Sequence, residues 1–243
     1  MKKHNEKGTV KTLKGSNAIV TGGGSGIGYA IAKALVNDGV NVIIASRRQD
    51  ILTNAADSLN AYGKAKAVPI VCDVRKKEDI LNLVKTAKEH FSSIDILVNN
   101  SGLGVTSTIV DCTDEEWDLV LDTNLKGVFR MTREVLPTMI SQRWGYIINI
   151  ASQAAKHRYA KAGPYCASKF GVLGFSEALQ LEVREFGIVV HSLCPALVQV
   201  PSPENENEIN DGVLQAEDLA STLMFLLTQP KRIKYENIGL YHR

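Results

Sequence analysis

A doubly wound parallel α/β sheet with helices on both faces is predicted by three features of the sequence. Short β-branched runs recur along the chain, most of them nearly continuous in apolar residues, as strands covered on both faces require. Amphipathic stretches of helical length separate them. The two kinds of segment alternate from end to end, which calls for right-handed crossovers between parallel strands.

The first run, Asn17–Thr21, leads through a glycine cluster into a helix over Ile27–Asn37. Asn41–Ser46 precedes a helix over Asp50–Ala61, and Ala67–Val74 precedes one over Lys77–Phe91. Ile94–Asn100 is followed by a long helical stretch, Asp114–Ser141, which Thr113 or Asp114 can cap, with Glu116 and Trp117 in its first turn. Gly145–Ser152 precedes Pro164–Phe186, where Pro164 suits the first turn because its missing N–H is no loss there. Ile188–Cys194 and a helix over Ala216–Leu227 complete the pattern. No linker or repeat divides it, so residues 13–243 are expected to form one domain behind a flexible basic leader, residues 1–12. Pro201–Asp211, with four acidic residues and no basic one, reads as a solvated loop or as a flap over a cleft.

Composition narrows the function classes. The chain has 243 residues, with 28 Lys+Arg against 26 Asp+Glu. Residues 1–14 hold five lysines and one glutamate, which leaves the remainder at −2. A nearly neutral body gives no support for nucleic-acid binding. The longest apolar run, Leu223–Leu227, is five residues, against the roughly 20 needed to span a bilayer. Neither a membrane span nor a secretory signal is expected, and the cytoplasm is the default location. Cys72, Cys112, Cys166 and Cys194 are dispersed, with no metal or redox spacing, as in buried thiols of a reducing compartment.

Directly after the first run stands Thr21-Gly22-Gly23-Gly24-Ser25-Gly26-Ile27-Gly28. Glycines between a strand and a helix let the backbone approach a pyrophosphate, and the helix N-terminus presents free N–H groups to it. The candidate contacts are Gly22, Gly24, Ser25, Gly26 and Ile27, with Gly28 allowing close helix–sheet packing. No Gly-Lys-Ser/Thr follows, which disfavours nucleoside triphosphate hydrolysis. The second strand ends at Ser46-Arg47-Arg48, with no carboxylate before Asp50. A guanidinium matches a 2′-phosphate, whereas a carboxylate would match a ribose hydroxyl, so NADP(H) is expected over NAD(H).

Tyrosine four residues before lysine puts both on one helix face, where the ammonium can favour the phenolate. The pattern occurs three times, at Tyr29/Lys33, Tyr62/Lys66 and Tyr165/Lys169. A serine thirteen residues earlier leaves two of these, Ser16 with Tyr29 and Ser152 with Tyr165. Ligands in such sheets bind at the carboxyl ends of strands, and only Ser152 ends a strand. Ser152, Tyr165 and Lys169 are therefore the expected site.

With these residues the chain resembles the short-chain dehydrogenase/reductase family, in its compact 3-oxoacyl-carrier-protein reductase-like form. The motifs are Thr21–Gly28, Asp73-Val74, Asn99-Asn100-Ser101-Gly102, Asp122–Gly127 around Asn124, and Tyr165-Cys166-Ala167-Ser168-Lys169. The resemblance implies a Rossmann fold and a carbonyl or alcohol substrate. It implies Tyr165 as general acid, Ser152 polarising the carbonyl oxygen, and Lys169 lowering the tyrosine pKa and binding the nicotinamide ribose. Asn124 would position a water. Asp73 and the Val74 backbone would meet the adenine, Asn100 the adenosine ribose, and Val198 backbone groups the carboxamide.

Three positions depart from the family pattern: Ser101 for alanine, Ala196 for the glycine after proline, and Val200 for a threonine. The short Pro201–Asp211 segment suggests a shallow, open cleft. A carbonyl reductase is the leading expectation, and a cofactor-binding regulator without turnover the alternative. A Ser-His-Asp hydrolase is a third option, against which stands the lack of a G-x-S-x-G elbow to expose a nucleophile. The long helices around Asp114–Ser141 and Pro164–Phe186 resemble those of family tetramers, so a homo-oligomer, tetramer or dimer, is expected. The stripe Val172, Phe175 and Leu179 could serve that interface or the core.

Overall fold

The computed structural model describes residues 12–61, 64–200, 210 and 212–242. The basic leader up to residue 11, Tyr62 of the second Tyr/Lys pair, and all of Pro201–Asp211 except Asn210 lie outside the described residues. Seven parallel strands form one sheet in the order β3-β2-β1-β4-β5-β6-β9. They are β1 (Asn17–Thr21), β2 (Asn41–Ser46), β3 (Ala67–Val71), β4 (Ile96–Asn99), β5 (Gly145–Ile150), β6 (Ile188–Pro195) and β9 (Ile238–Leu240). A short parallel pair, β7 (Val198–Gln199) and β8 (Leu214–Gln215), lies apart. The strand order reverses between β1 and β4, which opens a crevice at their carboxyl ends.

The helices cover both faces. On one side α1 (Gly26–Asn37), α2 (Gln49–Ala61) and α7 (Ala216–Thr228) supply Leu35, Leu59 and Leu223 to a core with Val20 and Val98. On the other, α3 (Lys77–His90), α5 (Gly127–Gln142) and α6 (Gly163–Val183) supply Leu83, Met139 and Leu179 against Ile19 and Leu97. Consecutive residues of β1 and β4 thus enter opposite cores, which is why their runs are continuously apolar rather than alternating. Val172 and Leu179 are buried within the chain, and half-buried Phe175 meets Phe129 edge-on, so most of the α6 stripe is core. Among the described residues no helix is long and apolar enough to cross a membrane.

Several boundaries differ from the sequence reading. Cys72–Val74 and Ala151–Ser152 leave the sheet and turn over its carboxyl edge, so the third and fifth runs are shorter as strands than as apolar patterns. Their departing N–H groups stay bonded: Cys72 N donates to Ser46 O and Ala151 N to Leu193 O. The long stretch Asp114–Ser141 is not one regular helix. The helix α4 (Asp114–Leu121) opens with Thr113 and Glu116 in a capping box, as the sequence allowed, then passes through a π-helical turn, Asp122–Lys126, into α5. The edge strand β9 was not foreseen, because three residues around a glycine carry no strand-like run.

A buried polar ladder braces the region beneath the carboxyl edge. Asn99 Nδ2 donates to Asn149 Oδ1 at 2.8 Å and to Thr132 Oγ1 at 3.2 Å. Asn149 Nδ2 donates to Ser176 Oγ at 2.8 Å, tying β4 and β5 to α5 and α6. Replacing Asn149 with alanine strips partners from two buried groups and should cost about 1–3 kcal/mol. The check is the thermal or urea midpoint; an unchanged midpoint would show the ladder to be energetically idle.

Candidate active site

The glycine turn joins β1 to α1 at the crevice. Gly22 and Gly26 have φ of +67° and +52°, the left-handed region where a Cβ is strained. Gly28 answers a different need, since a Cβ there would lie 2.2 Å from the Gly22 carbonyl oxygen. Asn100 secures the turn from β4: its Nδ2 donates to Thr21 O at 3.0 Å, and its backbone N donates to Thr21 Oγ1 at 3.0 Å. The residue expected to contact the ribose is thus also a clamp on the glycine turn.

A cleft of about 340 Å³ follows this turn. Its lining includes the sequence-predicted Gly22, Gly24, Ser25, Gly26, Ile27, Ser46, Arg47, Arg48, Asp73, Val74 and Asn100, together with Ile51, Cys72, Ser101, Leu103 and Thr123, which were not predicted as contacts. Gly28 packs behind the lining. The sequence reading missed Arg75, whose guanidinium grips both oxygens of the Asp73 carboxylate, with Nε 3.0 Å from each. That hydrogen bonding holds the Asp73 carboxyl below its ordinary range against the opposing effect of burial. Only its position two residues after Asp73 could have flagged it.

Tyr165, Lys169 and Val198 line an adjoining cleft of about 560 Å³, which shares Ile27, Asn100, Gly102, Leu103 and Val200 with the first. Ser152 enters this cleft just beyond β5, at the start of a 3₁₀ turn, Gln153–Ala155. Its Oγ accepts from Ala154 N at 3.1 Å, and its hydroxyl shares the cleft with the Tyr165 side chain. Tyr165 stands in the first turn of α6, immediately after Pro164. Lys169, one turn further, is buried, donates from Nζ to Ile150 O at 2.8 Å, and lies 5.6 Å from the centre of the Tyr165 ring.

The electrostatics differ from the sequence expectation. Burial raises the Tyr165 phenol above its usual pKa, opposed by the nearby Ser152 hydroxyl. Burial also pushes Lys169 down to about 8. The lysine is itself desolvated and turned to a backbone carbonyl, and loss of solvent, not the lysine charge, sets the direction of the tyrosine shift.

Asn124 sits in the π-helical turn and bonds Leu103 twice, accepting from its N at 2.9 Å and donating to its O at 2.8 Å. A third bond runs from Nδ2 to Ser168 Oγ at 3.1 Å. Its side chain therefore fixes the Leu103 wall of the cleft against α6. Thr106, Gln153, Tyr159 and Leu197 are also in the lining; Gln153 opens the 3₁₀ turn, the others lie in loops without a motif, and the sequence did not single them out. The rival pair is elsewhere: Ser16 is buried at the opening of β1, at the opposite edge, while Tyr29 hydrogen-bonds Ser58. Val200 lines both clefts, its Cγ1 only 2.8 Å from where a Gly26 Cβ would stand.

Residues 16–211 match the short chain dehydrogenase family. The chain belongs to the short-chain dehydrogenase/reductase family. An uncharacterized oxidoreductase of Staphylococcus aureus (strain MRSA252) is 37% identical over 221 residues, covering 91% of this chain and 94% of that protein. One from Staphylococcus saprophyticus is 34% identical, covering 93% and 97%. Among solved structures, an actinorhodin polyketide ketoreductase variant with NADPH superposes with a TM-score of 0.85 at 31% identity, covering 93% of this chain and 96% of that one. The protein is thus an oxidoreductase of a family that uses a nicotinamide cofactor.

Proposed function

We propose that the protein is an NADP(H)-dependent carbonyl reductase, reversible as an alcohol dehydrogenase, with Tyr165 as its general acid and base. The observation carrying this reading is the convergence of Ser152, Tyr165 and the buried Lys169, 5.6 Å from the Tyr165 ring, in one cleft continuous with that of the glycine turn. The turn suits a dinucleotide, because its glycines let the backbone fold tightly against Asn100 and leave Gly22, Gly24, Ser25, Gly26 and Ile27 facing the open cleft at the start of α1. Gly22, Gly24, Ser25, Gly26 and Ile27 would hold the pyrophosphate, Arg47 and Arg48 with Ser46 the 2′-phosphate, and Asp73, Val74 and Asn100 the adenosine. Tyr165, Lys169 and the Val198 backbone would hold the nicotinamide end.

When bound, the nicotinamide supplies the hydride in reduction and accepts it in oxidation. Ser152 Oγ donates a hydrogen bond to the substrate carbonyl oxygen and draws charge onto it. The Tyr165 hydroxyl gives its proton to that oxygen as the alcohol forms. Its raised pKa keeps the phenol protonated at neutral pH, as an acid requires. The Lys169 ammonium, held by Ile150 O, then opposes the phenolate charge. Asn124 keeps the Leu103 wall in place, and the family reading adds a water between it and Lys169.

NADPH is preferred on the strength of Arg47 and Arg48 lining the cleft, with Arg47 adding its positive charge at Asp73. The NADPH carried by the ketoreductase relative supports the same choice. Fluorescence titration with NADPH and NADH tests it. NADPH should bind at least about tenfold more tightly, and Arg47→Ala should remove most of the difference, as loss of a charge-assisted bond predicts. Equal binding of the two nucleotides would remove the arginine assignment. Binding of neither would overturn the reductase reading in favour of a protein without turnover.

A further inference from the structure

The loop that leads into α6 carries Lys156, His157, Arg158 and Lys161 within six residues, beside the substrate cleft. A basic loop at that place is what an acidic substrate would need, yet the structure turns these side chains elsewhere. Lys156 Nζ donates to the Asn237 carbonyl next to β9. His157 stacks edge-on against Tyr241, with ring centres 6.1 Å apart. The Arg158 guanidinium lies 5.5 Å over the Phe170 ring on α6. Lys161 holds the opposite wall through its backbone, accepting from Ser107 N, and its side chain is not part of the lining. Tyr159 alone of this segment reaches the cleft before Ala162.

Among the described residues, the one charged side chain in the substrate cleft is therefore Lys169. It is buried and bonded to Ile150 O, and under the proposed mechanism its charge is committed to Tyr165. The rest of the lining is apolar or neutral, with Val105, Leu197 and Val200 as walls and Thr106, Gln153 and Tyr159 as polar handles.

We infer, on the basis of the reductase reading above, that the substrate is an uncharged ketone or aldehyde with apolar substituents, and that oxo acids are excluded. A carboxylate beside the reacting carbonyl would leave water without a cation to meet it, and an unpaired charge in such a site is costly. Neutral acceptor groups, such as an ester, thioester or ring oxygen, find donors in Thr106, Gln153 and Tyr159. Of the carbonyl substrates the family fold accommodates, the hydroxy acid and oxo acid pair drops out.

The test uses matched pairs with NADPH and the full-length protein: ethyl acetoacetate against acetoacetate, and ethyl benzoylformate against benzoylformate. Reduction is followed through NADPH absorbance, and binding to the NADPH complex through ligand-observed NMR. The esters should exceed the acids by at least about 100-fold in kcat/KM, the scale expected for an unmatched polar group. Leu197→Lys, which adds a cation at the exposed rim of the cleft, should narrow the ratio by about tenfold. Acids bound or reduced as well as their esters would overturn the inference while leaving the reductase reading intact. NADPH binding with no ester bound or reduced would overturn it too. Failure to bind NADPH at all would instead take down the reductase reading, and this inference with it.

Discussion

Tyr165→Phe should lower kcat for carbonyl reduction by about 10²–10⁴-fold, the range for loss of a positioned general acid. The substitution removes one oxygen and keeps the ring beside Gly104, so the thermal midpoint should barely move. The pH dependence gives a second reading of the same group. Reduction needs the phenol protonated, and burial raises its pKa, so the reductive rate should stay flat through neutral pH and fall only in alkali. Oxidation of the alcohol needs the phenolate and should rise with pH over that range. Lys169 sets a limit, because it loses its proton near pH 8 and with it the charge that steadies the phenolate. Initial rates in both directions from pH 6 to 10 check this; a reductive rate that falls below pH 8, or a Phe variant that retains its kcat, would remove Tyr165 from the role.

What the sequence discloses and what it hides follow from the kind of interaction involved. Continuous runs such as Asn41–Ser46 and Ile188–Cys194 are legible because burial on both faces demands apolar side chains at successive positions. The glycine turn is legible because backbone geometry excludes other residues there, and Ser152 because the strand pattern places it at an edge. The π-helical turn at Asp122–Lys126 is not legible, since its side chains keep a helical period while the backbone takes in an extra residue. Neither is the pairing of Asn99 with Asn149, 50 positions apart, which joins neighbouring strands through a register that only the sheet defines. The grip of Arg75 on Asp73, and the outward turn of Lys156, His157 and Arg158, are matters of side-chain direction. A sequence read for charge alone would have placed a basic rim on the substrate cleft.

Two glycines in helices should respond to alanine with opposite signs. A methyl at Gly28 would stand 2.2 Å from the Gly22 carbonyl oxygen and 2.6 Å from Asn100 Nδ2. The first of these is backbone, and the second is already held by its bond to Thr21 O, so neither yields cheaply. The first turn of α1 must move away from β1, spoiling the N–H array that would face the pyrophosphate. Overpacking of this kind costs about 1–3 kcal/mol or more in stability. If the same displacement is charged against nucleotide binding, Kd for NADPH should rise by about 10–100-fold, since each 1.4 kcal/mol is a factor of ten. Gly174, in the interior of α6, has nothing within 4 Å of a built Cβ. There alanine removes only the entropic penalty of glycine in a helix and should stabilise the fold by about 0.5–1 kcal/mol, with nucleotide affinity unaltered. Thermal midpoints and fluorescence titrations on the two variants separate these effects. A Gly28→Ala protein that binds NADPH like the parent would mean that α1 does not present its N-terminus to the cofactor, and the whole assignment of the first cleft would have to be rebuilt around Arg47, Arg48 and Arg75.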